Sequence, residues 1–306
     1  MLGENLERSV ALSGAAATLD ITVGDWLWLD PSGERVIARL DRLSQFRRGA
    51  AGGAGELQHV AANVDTLFVV TSANRDFNPA RLERYLALAS QGGAVPVVVI
   101  TRADLVHDID VYVREAAGLK PGLLVEALDA RDAASAARLA EHCGPGQTVA
   151  LVGSSGVGKS TLINTLTAAS QATRSARSGD DRGRHTTTSR SMHALPSGGW
   201  LIDTPGMREL RLVESRDGIE SVFGEIDDLA RSCRFADCEH AGEPGCAVTA
   251  AIESGTLDAR RLDSYRKLLA EDRRHSESLA ARHARERAQG KLYKAIQARQ
   301  RRAKGD

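Results

Sequence analysis

The sequence predicts a multi-domain protein with a small OB-like β-barrel, a central α/β domain and a mainly helical C-terminal domain that binds metal. Three observations carry this. Short alternating strands occupy the residues up to about 46, apolar strands alternate with amphipathic helices from Val60, and cysteines cluster after the strands stop. The expected boundaries are 1–55 for the barrel and linker, 56–211 for the α/β domain and 212–306 for the helical part.

Residues 20 to about 46 read as strands. Trp26 and Trp28 alternate with Leu27 and Leu29, and Val36, Ala38 and Leu40 alternate with Arg35, Ile37 and Arg39. DPSGE makes the turn between the two runs. Period-two alternation sends successive side chains to opposite faces, and short strands joined by turns suit a small barrel. RRGAAGGAGE, from Arg47, reads as a flexible glycine-rich linker or loop.

From Val60 the pattern changes. TLFVV (66–70), VPVVVI (95–100), TVALV (148–152) and GWLI (199–202) are short apolar runs, as in strands buried on both faces. ARLERYLALA places Leu82, Tyr85, Leu86 and Ala89 on one helical face. The alternation implies a mostly parallel sheet with helices on both sides. Past about Arg211 the strands end, and Ile219, Val222, Phe223, Ile226 and Leu229 again mark one face of a helix.

The chemistry begins at GSSGVGKS. Gly153, Ser154, Ser155, Gly156, Val157, Gly158, Lys159 and Ser160 match the phosphate-loop pattern G-x-x-x-x-G-K-[ST] in full. The motif follows a strand and precedes a helical face of Leu162, Ile163 and Leu166, the context it requires. Backbone N–H groups curl round the phosphates, and the helix start, at Thr161 and its neighbours, adds partial positive charge. Lys159 is expected to reach the β- and γ-phosphates, and Ser160 to ligate Mg²⁺. Asp203-Thr204-Pro205-Gly206 follows the strand GWLI, so Asp203 is placed to hold Mg²⁺ and the Gly206 N–H to sense the γ-phosphate. Between them, RSARSGDDRGRHTTTSR (174–190) has almost nothing apolar and reads as a switch loop. A threonine of Thr186–Thr188, assigned here to Thr187, would complete the Mg²⁺ shell.

One element stands out of order. Thr101-Arg102-Ala103-Asp104 follows a strand and matches the [N/T]-K-x-D loop that reads guanine, except for Arg102 in place of Lys. The Asp104 carboxylate can accept from guanine N1–H and N2–H₂ together, a pair that adenine lacks. Arg102 can lie across the base with its planar guanidinium. VEALDA (125–130) is the expected second base loop, with Glu126 where a small serine is usual. The base loops therefore precede the phosphate loop, which implies a circularly permuted GTPase domain. An open parallel sheet allows this, because its pocket needs loops at one edge rather than in one chain order.

Cys233-x₄-Cys238-x-His240-x₅-Cys246 offers three thiolates and an imidazole, a soft set that selects Zn²⁺. Four protein ligands leave no open position, so the site is expected to be structural. Cys143 stands apart and reads as structural. Clustered cysteines point to a reducing cytoplasm and a metal site rather than a disulfide framework, and the chain is expected to be a monomer. The opening stretch lacks the pattern of a secretory signal, and no apolar run is long enough to span a bilayer, so no membrane partner is expected. Net charge is zero, yet from Ala281 to Asp306 nine Lys/Arg face two acids, a local +7 that suits a polyanionic partner.

The permuted order, with ANVDTLFVV, RLERYLALA, GSSGVGKST, GRHTTT, DTPGMRE and CRFADCEHAGEPGCAV, closely resembles the ribosome small-subunit-dependent GTPase A family (RsgA, also YjeQ or EngC). The resemblance runs from about Gly24 to the C-terminus. It implies an N-terminal OB-fold, a permuted GTPase domain and a zinc domain. It also implies late maturation of the 30S subunit through its 16S rRNA, with GTP hydrolysed to GDP under stimulation by that subunit. The segment before Gly24 is short for a complete OB-fold, so the barrel is expected to be incomplete. Met207 stands where Ras-type enzymes place a water-orienting Gln, and the resemblance implies His185 for that task. Two other functions share these motifs. A P-loop ATPase or kinase would show no preference for guanine, and a nucleotide-gated RNA scaffold would show negligible turnover with the subunit.

Overall fold

The computed structural model of the chain describes residues 2–3, 6–7, 10, 12, 18–49, 57–175, 191–204, 207 and 210–276. His185, Thr186–Thr188, Gly206 and the basic tail from Arg282 lie outside the described residues.

The N-terminal part consists of antiparallel pairs: β1 (Leu2–Gly3) with β2 (Leu6–Glu7), β3 (Leu27–Leu29) with β4 (Val36–Arg39), and β5 (Gln45–Gly49) with β6 (Leu57–Ala62). Among the described residues no hydrogen-bonded ring joins the three pairs. The turn into β4 is held by the Asp30 carboxylate, which accepts the backbone N–H of Glu34 and of Arg35. The buried Asp25 carboxylate accepts from Arg42 Nε and Nη2 at 2.7 and 2.8 Å. The tryptophans alternate with the leucines as expected but face outward, with Trp26 62% and Trp28 61% exposed.

The centre is one six-stranded sheet. Its strands are β7 (Thr66–Ser72), β8 (Val95–Thr101), β9 (Leu124–Ala127), β10 (Thr148–Val152), β11 (Ser191–Ala194) and β12 (Trp200–Asp203), in the order β11-β12-β10-β7-β8-β9. Every pairing is parallel except β11 with β12. β7 shows why both faces must be covered. Leu67 and Val69 join one apolar core and Phe68 and Val70 the other. From β7 the chain moves by α1 (Pro79–Gly92) to β8, then by α2 (Ile109–Ala117) to β9 on one side. Past the short α3 (Ala133–Ala136) it returns to β10 on the other side and continues through α4 (Lys159–Ser175) towards β12. The direction of winding thus reverses between β7 and β10, which opens a crevice beyond their C-terminal ends.

α1 has clear local causes. Asn78 caps it by accepting the Arg81 N–H at 3.0 Å, Pro79 opens it, and Gly93 closes it at φ 80°. Leu82, Tyr85, Leu86 and Ala89 are buried, as the periodicity predicts. The C-terminal part is helical: α5 (Arg216–Glu220), α6 (Gly224–Ala230), α7 (Ala247–Glu253) and a final helix over residues 259–276. Its apolar face, including Ile219, Val222, Phe223 and Ile226, belongs to the same core as α1.

Candidate nucleotide site and metal centre

The crevice is a cleft of about 360 Å³, lined by the segments expected to read base and phosphate. The phosphate loop leaves β10 under tight constraint. Gly153 sits at φ 144°, and a Cβ there would lie 2.2 Å from the Val70 carbonyl oxygen, so only glycine fits. Lys159, 8% exposed, donates from Nζ to the Gly153 carbonyl at 2.7 Å and also to that of Ser154. A buried ammonium held by its own loop's carbonyls is a cation kept in place for an anion. Ser160 and Thr161 line the cleft at the first turn of α4.

The base loop reaches the same place from β8. Thr101, 1% exposed, has its hydroxyl 2.7 Å from the Val157 carbonyl oxygen of the phosphate loop and 3.1 Å from that of Thr71. Arg102 adopts φ 60° and donates from Nη2 to the Gly156 carbonyl at 2.8 Å. These contacts span 56 and 54 residues and tie the two motifs into one unit despite their reversed order. Asp104 lines the cleft, and its Oδ2 accepts from Arg131 Nη2 at 2.7 Å.

The second base loop, expected over 125–130, meets the cleft only at its C-terminal end. Glu126 belongs to β9, half-buried, with His142 Nε2 3.7 Å from its carboxylate. The cleft is lined instead by Asp129, Ala130 and Arg131. Asp129 accepts from Arg131 Nε at 3.0 Å and from its backbone N–H at 2.9 Å, and Arg131 holds its carboxyl below the usual range. Sequence reasoning missed Arg131. Nothing local marks it, because its partners are set by where β8 and β9 end.

A further contact was not foreseen. Arg81, in the first turn of α1, donates to the Ser154 hydroxyl of the phosphate loop. Asp203 ends β12, a parallel neighbour of β10, so it leaves the sheet at the same edge as the phosphate loop. Ser160 lines the cleft and Asp203 does not; a hydroxyl and a carboxylate are the hard oxygen donors that Mg²⁺ takes. Met207 is 1% exposed, and its thioether cannot orient water.

The cysteine cluster also assembles. The donor atoms of Cys233, Cys238, His240 and Cys246 all lie within 4.8 Å of one another. Cys233 Sγ and Cys246 Sγ are 3.9 Å apart, and they stand 3.6 and 3.5 Å from His240 Nδ1. A tetrahedron built on usual Zn–S and Zn–N lengths has S–S edges of about 3.8 Å and S–N edges of about 3.5 Å. The donor set thus fits a tetrahedral soft cation. Burial pushes the Cys238 thiol up to about 12. Burial acts the same way on Cys246, but hydrogen bonds from Thr249 and His240 outweigh it and bring that thiol down to about 6. Cys246 also caps α7, its Sγ accepting the Thr249 N–H at 3.4 Å, so the cluster anchors a helix.

Comparison with known proteins agrees with this geometry. The RsgA GTPase family model matches residues 39–213. The chain is 50% identical over 279 residues to the small ribosomal subunit biogenesis GTPase RsgA of Mesorhizobium japonicum, covering 90% of this chain and 80% of that one. It is also 50% identical over 274 residues to the protein named RsgA 2 of Vibrio parahaemolyticus, covering 89% and 76%. Among solved structures, YjeQ from Thermotoga maritima superposes with a TM-score of 0.60 at 27% identity, covering 83% of this chain and 84% of that one. The circularly permuted GTPase YloQ gives 0.59 at 26%, covering 83% and 81%.

Proposed function

Because the chain belongs to the RsgA GTPase family, we propose that it hydrolyses GTP while bound to the small ribosomal subunit and that the subunit stimulates the reaction. The chain is a GTP hydrolase of small-subunit biogenesis. The finer reading is that it acts late in 30S maturation, contacts 16S rRNA and leaves after hydrolysis, as a cytoplasmic monomer. No described helix is long and apolar enough to cross a membrane.

The observation that carries the reading is the joining of base and phosphate loops through Thr101–Val157 and Arg102–Gly156. In this reading Asp104 selects guanine, Lys159 neutralises the β- and γ-phosphates, and Ser160, Thr187 and Asp203 hold Mg²⁺. When bound, Mg²⁺ neutralises charge that develops between the β- and γ-phosphates. Met207 supplies no water-orienting group, so the free protein should turn over slowly. His185, in the switch loop, is the proposed residue for that task. The segment after DTPG supports coupling to the C-terminal part. Leu210 O accepts from Arg84 Nη2 at 2.8 Å, Leu212 O lies 3.0 Å from His275 Nδ1, and the Ser215 N–H donates to Asp272 at 2.8 Å. Movement of the Asp203–Gly206 loop would therefore pull on the final helix.

Phosphate release measured with and without purified 30S subunits tests this. A rise of about tenfold or more is expected, below the 10³–10⁵ that a full trans-acting arginine finger supplies. Equal rates would leave a nucleotide-gated scaffold as the better reading.

The metal is proposed to be zinc, structural and one per chain. Metal analysis of chelator-washed protein should return zinc at that ratio. Cys238→Ala should lower the melting of the C-terminal helices and leave turnover per folded molecule unchanged. Zinc-free protein with native melting would reject the site.

A further inference from the structure

We propose that Arg131 is a specificity-determining residue that lowers the advantage of guanine over hypoxanthine by holding one oxygen of the base-reading carboxylate. The inference rests on Asp104 being the guanine reader.

Three observations lead to it. Asp104 Oδ2 is the acceptor of Arg131 Nη2 at 2.7 Å, and both residues line the nucleotide cleft. The same guanidinium keeps a second anion, Asp129, with Nε 3.0 Å from Oδ1 and Nη2 3.1 Å from Oδ2. The Arg131 side chain is 66% exposed, so it can leave Asp104 without burying or stranding its charge. Arg131 is thus anchored on its own loop by Asp129 and reaches across to the other base loop.

Guanine presents two parallel donors, N1–H and the N2 amine, and needs both carboxylate oxygens on the cleft side. Hypoxanthine keeps N1–H and lacks the amine, so one oxygen suffices. The guanine amine must therefore compete with Arg131 for Oδ2 or share it at a weakened contact, whereas an inosine nucleotide can bind through Oδ1 and leave the Arg131 contact intact. The cost of opening one partly exposed ion pair falls on guanine alone, a factor of about two to five in relative affinity. Arg131 keeps its Asp129 partner in both cases, so the difference reports the Asp104 contact.

The experiment is equilibrium binding of GDP and IDP to the full-length protein, comparing native, Arg131→Ala, Arg131→Lys, Asp104→Asn and the double variant. Arg131→Ala is expected to raise the GDP:IDP affinity ratio about two- to five-fold. Arg131→Lys, which keeps a cation on Asp104, should stay near the native ratio. In the Asp104→Asn background the Arg131 effect should vanish, a coupling that a merely structural role would not produce. An unchanged or lowered ratio in Arg131→Ala, with Asp104→Asn still weakening GDP, overturns the role of Arg131 and leaves the base reading standing. If Asp104→Asn leaves GDP affinity untouched, the base reading falls and this inference falls with it.

Discussion

Lys159→Ala is expected to lower GTP hydrolysis by about 10²–10³-fold, the scale for removing one preorganised group at a developing oxyanion, together with weaker GTP binding. The reason lies in how the ammonium is held. Its Nζ is bound by the Gly153 and Ser154 carbonyls of its own loop and is 8% exposed, so little solvent has to reorganise before it meets a phosphate. No other side chain of the loop from Gly153 to Ser160 carries charge. Lys159→Arg should fail nearly as badly, because a planar guanidinium cannot sit between two carbonyls spaced for a compact ammonium. The readout is phosphate release over a GTP titration, with melting and metal content as checks that the fold survives. Hydrolysis at the native rate in Lys159→Ala would show that the phosphates bind elsewhere.

The same lysine shows what the sequence can reveal. The phosphate loop is one contiguous run whose chemistry is local, and its flanking strand and helix carry their own periodicity. The metal cluster spans fourteen residues and assembles for a similar reason. The parallel sheet followed from apolar runs such as TLFVV, which admit little besides a strand buried on both faces. What escaped was set at long range. Thr101 was placed in the guanine loop by its motif, but the motif did not show that its hydroxyl meets the Val157 carbonyl 56 residues away. The second base loop was expected over 125–130, but β9 runs through Glu126 to Ala127 and only Asp129 and Ala130 of that stretch line the cleft. Arg81 and Arg131 have no local signature, because arginine on a helix or loop ordinarily faces solvent. The outward turn of Trp26 and Trp28 was hidden for a related reason: alternation says that two faces differ, not which one is covered.

Glu83 is a residue whose burial periodicity does not reveal, and it carries the last large expected effect. On α1 the apolar stripe of Leu82, Tyr85, Leu86 and Ala89 leaves Glu83 where a helix ordinarily meets water. Its side chain is instead 0% exposed, because the final helix packs over it. Arg260 Nη1 and Arg261 Nη1 each donate to Glu83 Oε1 at 2.9 Å. Arg261 is further held by Glu225, by the Val222 carbonyl and by the Phe223 ring 4.4 Å from its guanidinium carbon. One buried anion thus binds two cations from the C-terminal helix to the helix that follows the central strand. A buried pair adds little net stability over an apolar replacement, but removing one partner strands the other and costs about 3–5 kcal/mol. Glu83→Ala should therefore lower Tm by roughly 6–20 °C, given about 2–4 °C per kcal/mol for chains approaching this size. Glu83→Gln keeps the volume and removes the charge, so it should fall nearly as far if electrostatics set the effect. Metal content should stay native in both, because Cys233, Cys238, His240 and Cys246, the group that could hold a metal ion, take no part in the pair. Calorimetric melting with metal analysis separates the cases. A loss confined to Glu83→Ala would assign the effect to packing, and native melting of both variants would show that this ion cluster does not hold the two parts together.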